Sequence, residues 1–152
     1  MRRIGLIADT HGLLRPQALA ALQGCDALIH AGDIGPPELL QRLRKLAPLT
    51  VVRGNNDRAD WARALPHTAL LPVEQVLVCV VHDVKELPAP APAGVRVVVS
   101  GHSHRPGCAE RDGLLWVNPG SAGPRRFKLP VSVGELLVDG AAVEVRLHAL
   151  EI

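Results

Sequence analysis

The chain has 152 residues, a formal charge of +2 and a hydrophobic content of 47%. These values fit one globular domain, residues 1–152, with a substantial core. Binding of nucleic-acid strands needs a basic surface and stacking side chains, and the small charge and an aromatic content of 2% argue against it.

The cysteines and the hydropathy pattern bear on location. The three cysteines are odd in number, lie far apart and form no Cys-x-x-Cys pair: Cys25, Cys79 and Cys108. This usage favours a reducing cytoplasm over a disulfide framework. The longest purely apolar run, Val76–Val81, is too short to cross a bilayer. The sequence therefore predicts a cytoplasmic protein that does not engage the membrane.

Strands and helices alternate in the first third of the chain. Apolar runs predict three buried strands, and amphipathic stretches that begin near a proline predict a helix after each of the first two strands. The predicted order is strand Ile4–Ala8, a helix from Pro16 that ends at Gly24, strand Ala27–Ala31, helix Pro37–Ala47 and strand Leu49–Arg53. This alternation indicates a parallel sheet.

The remainder of the chain is richer in strands. Ala59–Ala64 is predicted as a short helix, and Leu87–Gly94, which alternates proline with alanine, as an extended loop. The predicted strands are Thr68–Leu71, Gln75–Val81, Val95–Ser100, Leu114–Asn118, Ser132–Val138 and Ala142–Leu147. The last two flank Asp139-Gly140 and predict a hairpin. From residue 105 onward the pattern is typical of a β-meander.

Potential metal ligands follow five of the predicted strands, and most have glycine neighbours: Asp9, His11, Asp33, Asn55, His82, His102 and His104. Side chains at the carboxyl ends of strands in an open α/β sheet converge where ligands bind. Carboxylate, amide and imidazole groups without sulfur suit divalent transition metals. Seven ligands exceed one tetrahedral site and fit two ions that share a bridging carboxylate. Taken alone, Asp9 could instead cap the following helix.

Two longer motifs make the pattern specific: Gly-Asn-Asn-Asp at residues 54–57 and Gly-His-Ser-His at residues 101–104. With Asp-x-His at residues 9–11, they resemble the calcineurin-like metallophosphoesterase superfamily. The small bacterial and archaeal phosphodiesterases related to the retromer subunit Vps29 are the most similar. The resemblance implies an α/β fold in which two mixed β-sheets pack as a sandwich with helices on the outer faces, a four-layer αββα arrangement.

The resemblance also implies residue roles. Asp9, His11 and His104 would hold the first metal, Asp33 would bridge, and the second metal would be held by Asn55, His82 and His102. Asp57 would steady a neighbouring ligand. The predicted catalytic residues are accordingly Asp33, Asn55, Asn56 and Asp57. Manganese is the expected metal, with iron, cobalt, nickel or zinc as alternatives. A bridging hydroxide would attack a small phosphate ester in line.

Two positions depart from the family pattern. Asn56 stands where many members carry a histidine that protonates the leaving group, and an amide cannot act as that acid. Diesters and good leaving groups are therefore the expected substrates. Asp83 stands where glycine is usual and could be an extra ligand, a partner of a ligand or an obstacle to phosphate.

Residues beyond the motifs carry weaker predictions. Arg125 and Arg126 are candidate phosphate contacts, as is Asn56, although solvated surface charge also explains the two arginines. The segment 118–121, Asn-Pro-Gly-Ser, resembles a family loop near the site, whereas His30, His67 and His148 are predicted as ordinary core or surface residues. A phosphomonoesterase and a non-catalytic Vps29-like interaction module remain alternatives, and a homo-oligomer stays open.

Overall fold

The computed structural model describes residues 1–88 and 90–152, and it contains two five-stranded sheets packed face to face. The first sheet has the strand order β10-β9-β1-β2-β3, and the second has the order β4-β5-β6-β8-β7. The strands are β1 (Arg2–Ile7), β2 (Ala27–His30), β3 (Leu49–Val51), β4 (Thr68–Val73), β5 (Val76–Val81), β6 (Val95–Val99), β7 (Gly107–Arg111), β8 (Leu114–Asn118), β9 (Ser132–Asp139) and β10 (Ala142–Ala149).

Each sheet has a parallel centre with antiparallel strands added to it. β1, β2 and β3 are parallel, as the strand–helix alternation predicted, and β5, β6 and β8 are parallel in the second sheet. The predicted meander is wrong, because β8 inserts beside β6 and the β9–β10 hairpin joins the first sheet against β1. β9 is almost entirely buried, in keeping with its place between β10 and β1. The predicted class, two mixed sheets in an α/β sandwich, is confirmed.

Both α-helices pack on the outer face of the first sheet. The helix α1 (Pro16–Leu22) and the helix α2 (Pro37–Arg44) each begin at a proline, which suits the first helical position. Leu39, Leu40 and Leu43 form the buried face of α2. That helix ends three residues before the predicted Ala47, in a tight turn that closes from the Leu46 amide to the Leu43 carbonyl.

The outer face of the second sheet has a different cover. The predicted short helix before β4 is a 3-10 helix, Asp60–Ala64, whose Trp61 packs with the two α-helices on the first sheet. On the second sheet a 3-10 helix, Val84–Glu86, follows β5. Leu87 packs on the outward side chains of the second sheet, beside Cys79 and Val98. Of the predicted loop 87–94, Ala89 lies outside the described residues, and the remaining residues contain turns without helix or strand.

Alternation along the strands builds the core between the sheets. Ile4 and Leu6 of β1 face the second sheet, whereas Ile7 faces the helices. Valines at alternate positions of β5 and β6 fill the opposite side of this core. No helix in the described part of the chain has the length and apolar character of a membrane span.

Candidate metal centre

The candidate centre lies where the carboxyl ends of the parallel strands of both sheets meet. The first sheet contributes ligands after β1, β2 and β3, and the second sheet contributes them after β5 and β6. The seven residues, in chain order, are Asp9, His11, Asp33, Asn55, His82, His102 and His104. Packing the two sheets face to face brings these loop ends together, because the parallel strands of both sheets end at the same rim.

The backbone at this rim is unusual. Positive φ angles occur at five of the seven ligand positions: Asp9 (53°), His11 (45°), Asp33 (58°), His102 (69°) and His104 (62°). Residues other than glycine rarely adopt this left-handed conformation, and it costs of order 1 kcal/mol or more at each position. The concentration of such strain at one rim is typical of a functional site.

Two overlapping ligand groups emerge from the geometry. The ligand atoms of Asp9, His11 and His104 lie within 4.8 Å of one another, as do those of Asp9, Asp33 and His82. Asp9 Oδ1 is 3.7 Å from His104 Nε2 and 4.0 Å from His82 Nε2. Asp9 is therefore shared between the groups, a position that the resemblance assigned to Asp33.

Asn55 and His102 extend the second group. The Asn55 Oδ1 atom lies 2.9 Å from His82 Nε2 and 3.2 Å from His102 Nδ1. His82 Nε2 is also 3.3 Å from Asp33 Oδ2. The three residues predicted for a second metal are thus in mutual contact, and Asp33 touches the same imidazole.

Several buried atoms at the centre have no hydrogen-bond partner among the described residues. They are Asp9 Oδ1, His11 Nε2 and His104 Nδ1. Leaving a buried polar atom unpaired costs about 1–3 kcal/mol, so native proteins rarely do so without a reason. These unpaired oxygen and nitrogen atoms are of the kinds that coordinate divalent transition metals.

The charge balance supports the same conclusion. Burial raises the pKa of Asp9 to about 7 and lowers the pKa of His104 to about 4. Burial also raises the pKa of Asp33, but hydrogen bonds with His82 and the Asn56 amide outweigh burial and lower this pKa to about 2. Burial lowers the pKa of His82, and Asp33 outweighs this and raises it to about 9. A bound cation would supply positive charge to balance the buried carboxylates of Asp9 and Asp33.

Comparison with known proteins decides the family. The sequence profile of the calcineurin-like phosphoesterase superfamily domain matches residues 1–140. This chain belongs to that superfamily. A probable metallophosphoesterase from Methanothermobacter thermautotrophicus is 32% identical over an alignment of 157 positions, which covers 95% of this chain and 90% of that protein. The chain is therefore a hydrolase, a metal-dependent phosphoesterase, and the predicted family is confirmed.

Solved structures share the fold. Vps29 from Chaetomium thermophilum has a TM-score of 0.80 at 21% identity, covering 95% of this chain and 85% of that one. A phosphoesterase from E. coli has a TM-score of 0.72 at 26% identity, covering 95% of this chain and 92% of that one. Both similarities span nearly the whole phosphoesterase chain, so its two sheets correspond to those of the superfamily.

Groups behind the ligands fix the phosphoesterase loops. His82 Nδ1 donates to the Ala31 carbonyl at 2.7 Å, which turns Nε2 toward the centre, where it contacts Asn55 and Asp33. Asp57 accepts from the backbone amides of Asp33, Ile34 and Gly54 at 2.8–3.0 Å. A side chain at Gly54 would collide with the Asp33 backbone, which explains a glycine at this point.

The Asn-Pro-Gly-Ser segment supports the same loops. Asn118 Nδ2 donates to the Gly101 carbonyl at 2.9 Å, and Ser121 Oγ donates to the Asp9 carbonyl at 3.0 Å. The segment follows β8, the third parallel strand of the second sheet. By itself this four-residue motif predicted an ordinary turn, and its position at the rim of the candidate centre explains its contacts.

Asp83 lies beside a predicted ligand. Its Oδ2 atom is 3.6 Å from His102 Nε2, while its Oδ1 accepts the Lys85 amide at 3.1 Å. Of the three roles considered for Asp83, this position favours a partner that orients the His102 ring. The adjacent parallel strands β5 and β6 create the contact, which sequence spacing alone could not reveal.

The predicted substrate residues border the centre. A cavity of about 290 Å³ is lined by His11, Asn56, His104, Pro124, Arg125 and Arg126. Asn56 donates its backbone N–H to Asp33 Oδ1 at 2.9 Å and its side-chain Nδ2 to Asp33 Oδ2 at 3.2 Å. Both arginines are exposed, and the charge of Arg126 reaches the centre, where it lowers the pKa of His104.

A buried network under the ligands was missed from sequence, because His30 read as ordinary core. His30 is fully buried, and its Nδ1 accepts the Gly32 amide at 3.1 Å. Its Nε2 therefore donates to Thr10 Oγ1 at 2.9 Å, and Thr10 donates onward to the Ile34 carbonyl at 2.7 Å. A polar residue at the end of a buried strand was the available signal. The network joins the two loops that carry Asp9 and Asp33.

We expect His30 to make the metal-free protein sensitive to acid. Burial lowers the pKa of His30 to about 3. Nearby His82 and His11 also lower this pKa, whereas Asp33 raises it. An unfolded histidine has a pKa of about 6.5, so the unfolded state binds more protons between these values. Stability is full above pH 6.5 and falls as the pH drops toward 3. Protonation of His30 should therefore lower the free energy of unfolding by about 2–3 kcal/mol between pH 7 and pH 4.5.

Urea unfolding with a chelator present, at pH 7 and pH 4.5, measures this effect. His30→Gln should reduce the loss of unfolding free energy between the two pH values, whereas the exposed control His67→Gln should leave it unchanged. An equal loss in wild type and His30→Gln would show that other groups determine the acid sensitivity.

Proposed function

We propose that the protein is a phosphodiesterase that works with two divalent cations. The observation that carries the proposal is the pair of overlapping ligand groups around Asp9, each with three ligand atoms within 4.8 Å. The first cation would be held by Asp9, His11 and His104. The second would be held by His82 of the other group together with Asn55 and His102, which extend that group. Asp33 would lie between the cations. When bound, such cations lower the pKa of a water molecule and stabilise charge on phosphoryl oxygens.

The residues of the chain supply charge and orientation. Asp9 and Asp33 offset two of the four positive charges that a pair of divalent cations brings, so the centre stays attractive to a phosphate ester. Asn55 is a neutral ligand and preserves that charge. Arg125 and Arg126 add two cations at the border of the cavity and would orient the substrate.

Asn56 restricts the leaving group. Its amide donates to Asp33 and has no proton to give to a departing oxygen. Esters whose leaving group departs without protonation should therefore react best, which favours aryl esters. Alkyl monoesters should react slowly. A phosphomonoesterase of small metabolites is the second candidate, and Asn56 counts against it.

Metal identity and location complete the proposal. Imidazole, carboxylate and amide ligands without sulfur suit manganese first, and iron, cobalt, nickel or zinc also fit. The described structure contains three free cysteines, two of them buried, in keeping with a reducing cytoplasm. The substrate would be a small phosphate ester.

Metal analysis together with a substrate panel tests the proposal. We expect protein purified without chelator to carry two equivalents of transition metal per chain. It should hydrolyse bis(p-nitrophenyl) phosphate, lose this activity on chelation and regain it with manganese. Alkyl monoesters should react at least about a hundredfold more slowly. No bound metal and no hydrolysis would instead support a non-catalytic interaction module like Vps29.

A further inference from the structure

A second cavity is lined by sequence neighbours of residues at the candidate centre. It has a volume of about 560 Å³ and is lined by Arg105, Phe127, Lys128 and Leu129; we call it the outer cavity. Its neighbour, the metal-side cavity of about 290 Å³, includes His104 and Arg126. Residues 104 and 105 are consecutive, as are 126 and 127, so the two linings come from the same two stretches of backbone. A substituent on a phosphate at the centre would extend toward the outer cavity along these stretches.

Phe127 is the feature of the outer cavity that the metal chemistry leaves unexplained. It is the single phenylalanine of the chain and is 89% exposed. Its φ is +54°, in a turn closed by the Leu129 amide to the Arg126 carbonyl at 3.1 Å. Glycine or asparagine is usual at such a position, and a bulky residue is an outlier. An exposed aromatic ring held in a strained turn is typical of a ligand contact.

The loop that carries Phe127 is anchored to the centre. Ser121 pairs with Val131 at the base of the loop, and the Ser132 amide donates to the Ser121 carbonyl at 2.9 Å. The Ser121 side chain donates to the carbonyl of Asp9. Prolines at positions 124 and 130 stiffen both sides of the turn. The base of the loop that carries Phe127 is therefore held at a fixed place relative to the predicted metal ligands.

The charge around Phe127 specifies the ligand further. Four basic residues border the two cavities: Arg105, Arg125, Arg126 and Lys128. None of them forms an ion pair within residues 1–88 and 90–152. Unpaired cations beside an exposed ring suit an anion that also carries an aromatic group, because rings stack on phenylalanine and phosphates pair with arginine.

We propose that Phe127 and the outer cavity bind an aromatic ring on the part of the diester that stays attached to phosphorus. The ring could be a nucleobase or an aryl group, since both stack on a phenylalanine. The proposal rests on the proposed phosphodiesterase function and adds a substrate class to it: anionic diesters that carry an aromatic or heteroaromatic ring besides the leaving group.

Three substrates with one leaving group test this inference. They are methyl, phenyl and thymidine 5′ esters of p-nitrophenyl phosphate, which all release p-nitrophenolate. We expect kcat/KM for the phenyl or the thymidine ester to exceed that for the methyl ester about tenfold. Preference for thymidine over phenyl would identify a nucleoside as the source of the ring, and the reverse would identify an aryl group.

Phe127→Ala should remove the preference and leave the methyl ester unchanged, and Phe127→Trp should restore it. Leu70→Ala removes a half-exposed apolar side chain on β4 and is the matched control. Equal kcat/KM for all three esters in the wild type would overturn the inference, as would a preference that survives Phe127→Ala. If Phe127→Ala loses self-association but keeps the preference for aromatic esters, the surface around Phe127 is a contact with a second copy of the chain. This result would also overturn the inference.

Calorimetry separates this inference from the proposed function. Manganese-loaded protein is titrated with phenylphosphonate and with methylphosphonate, which have no ester bond to hydrolyse and carry the ring or the methyl group directly on phosphorus. We expect phenylphosphonate to bind about tenfold more tightly than methylphosphonate in the wild type and equally in Phe127→Ala. If no ester is hydrolysed but this difference appears, the phosphodiesterase proposal fails and the aromatic site stands. If both ligands bind equally in the wild type, the aromatic site fails, whatever the activity.

Discussion

Replacing Asp33 by asparagine is expected to lower phosphodiesterase activity on the order of a thousandfold or more. Asp33 Oδ2 lies 3.3 Å from His82 Nε2 and 3.7 Å from His11 Nε2, so the carboxylate stands between the two predicted metal sites. Hydrogen bonds with His82 and Asn56 lower the pKa of Asp33 to about 2 despite its burial, so it is ionised in any usual buffer. Asparagine keeps the shape and removes the charge that two cations would share.

Calorimetric manganese titration and steady-state hydrolysis of bis(p-nitrophenyl) phosphate measure this effect. Asp33→Asn should bind at most one equivalent of manganese, while the wild type binds two. Asp60→Asn, which changes an exposed carboxylate in the 3-10 helix after β3, is the matched control and should bind two equivalents. Two equivalents at wild-type affinity in Asp33→Asn would show that Asp33 does not bridge.

Local patterns predict the first third of this fold well and the placement of its last strands poorly. The alternation that ends at β3 is encoded in short stretches, since each helix has its own apolar face and a proline at its start. Where the β9–β10 hairpin docks depends on an edge of β1 that lies more than a hundred residues away in sequence. The hydropathy of β9 predicts that the strand is buried, but it does not predict which strand pairs with it.

The same division holds at the candidate centre. Metal-ligand residue types after apolar strands predicted the seven residues that the sheets bring to one rim. The left-handed backbone at Asp9 and the contact between Asp83 and His102 depend on how the loops pack, which residue type does not specify. Sequence also favoured solvated surface charge for the arginines, because the cavity beside them forms only when residues 11, 56, 104 and 124–126 meet.

The loops at the rim are expected to depend on Asp57, which can hold them in place without contacting a cation. Asp57 is 5% exposed, and its carboxylate accepts three backbone hydrogen bonds, from Gly54 at 2.8 Å, Ile34 at 2.9 Å and Asp33 at 3.0 Å. These bonds tie the loop after β3 to the loop after β2. Asparagine would lose the charge and turn a donor toward backbone N–H groups, which leaves at least one of them unpaired.

Asp57→Asn should therefore lower the free energy of unfolding by about 2–4 kcal/mol, because hydrogen bonds to a buried charge contribute more than neutral ones. Displacement of Asp33 should also weaken manganese binding by about 10- to 100-fold. Urea unfolding with chelator measures the first effect and calorimetry the second, with Asp60→Asn as the control for both. Unchanged unfolding with weakened binding would mean that other contacts hold the loop and that Asp57 acts on the metal directly. Unchanged binding with lowered stability would mean that the position of Asp33 does not depend on this carboxylate.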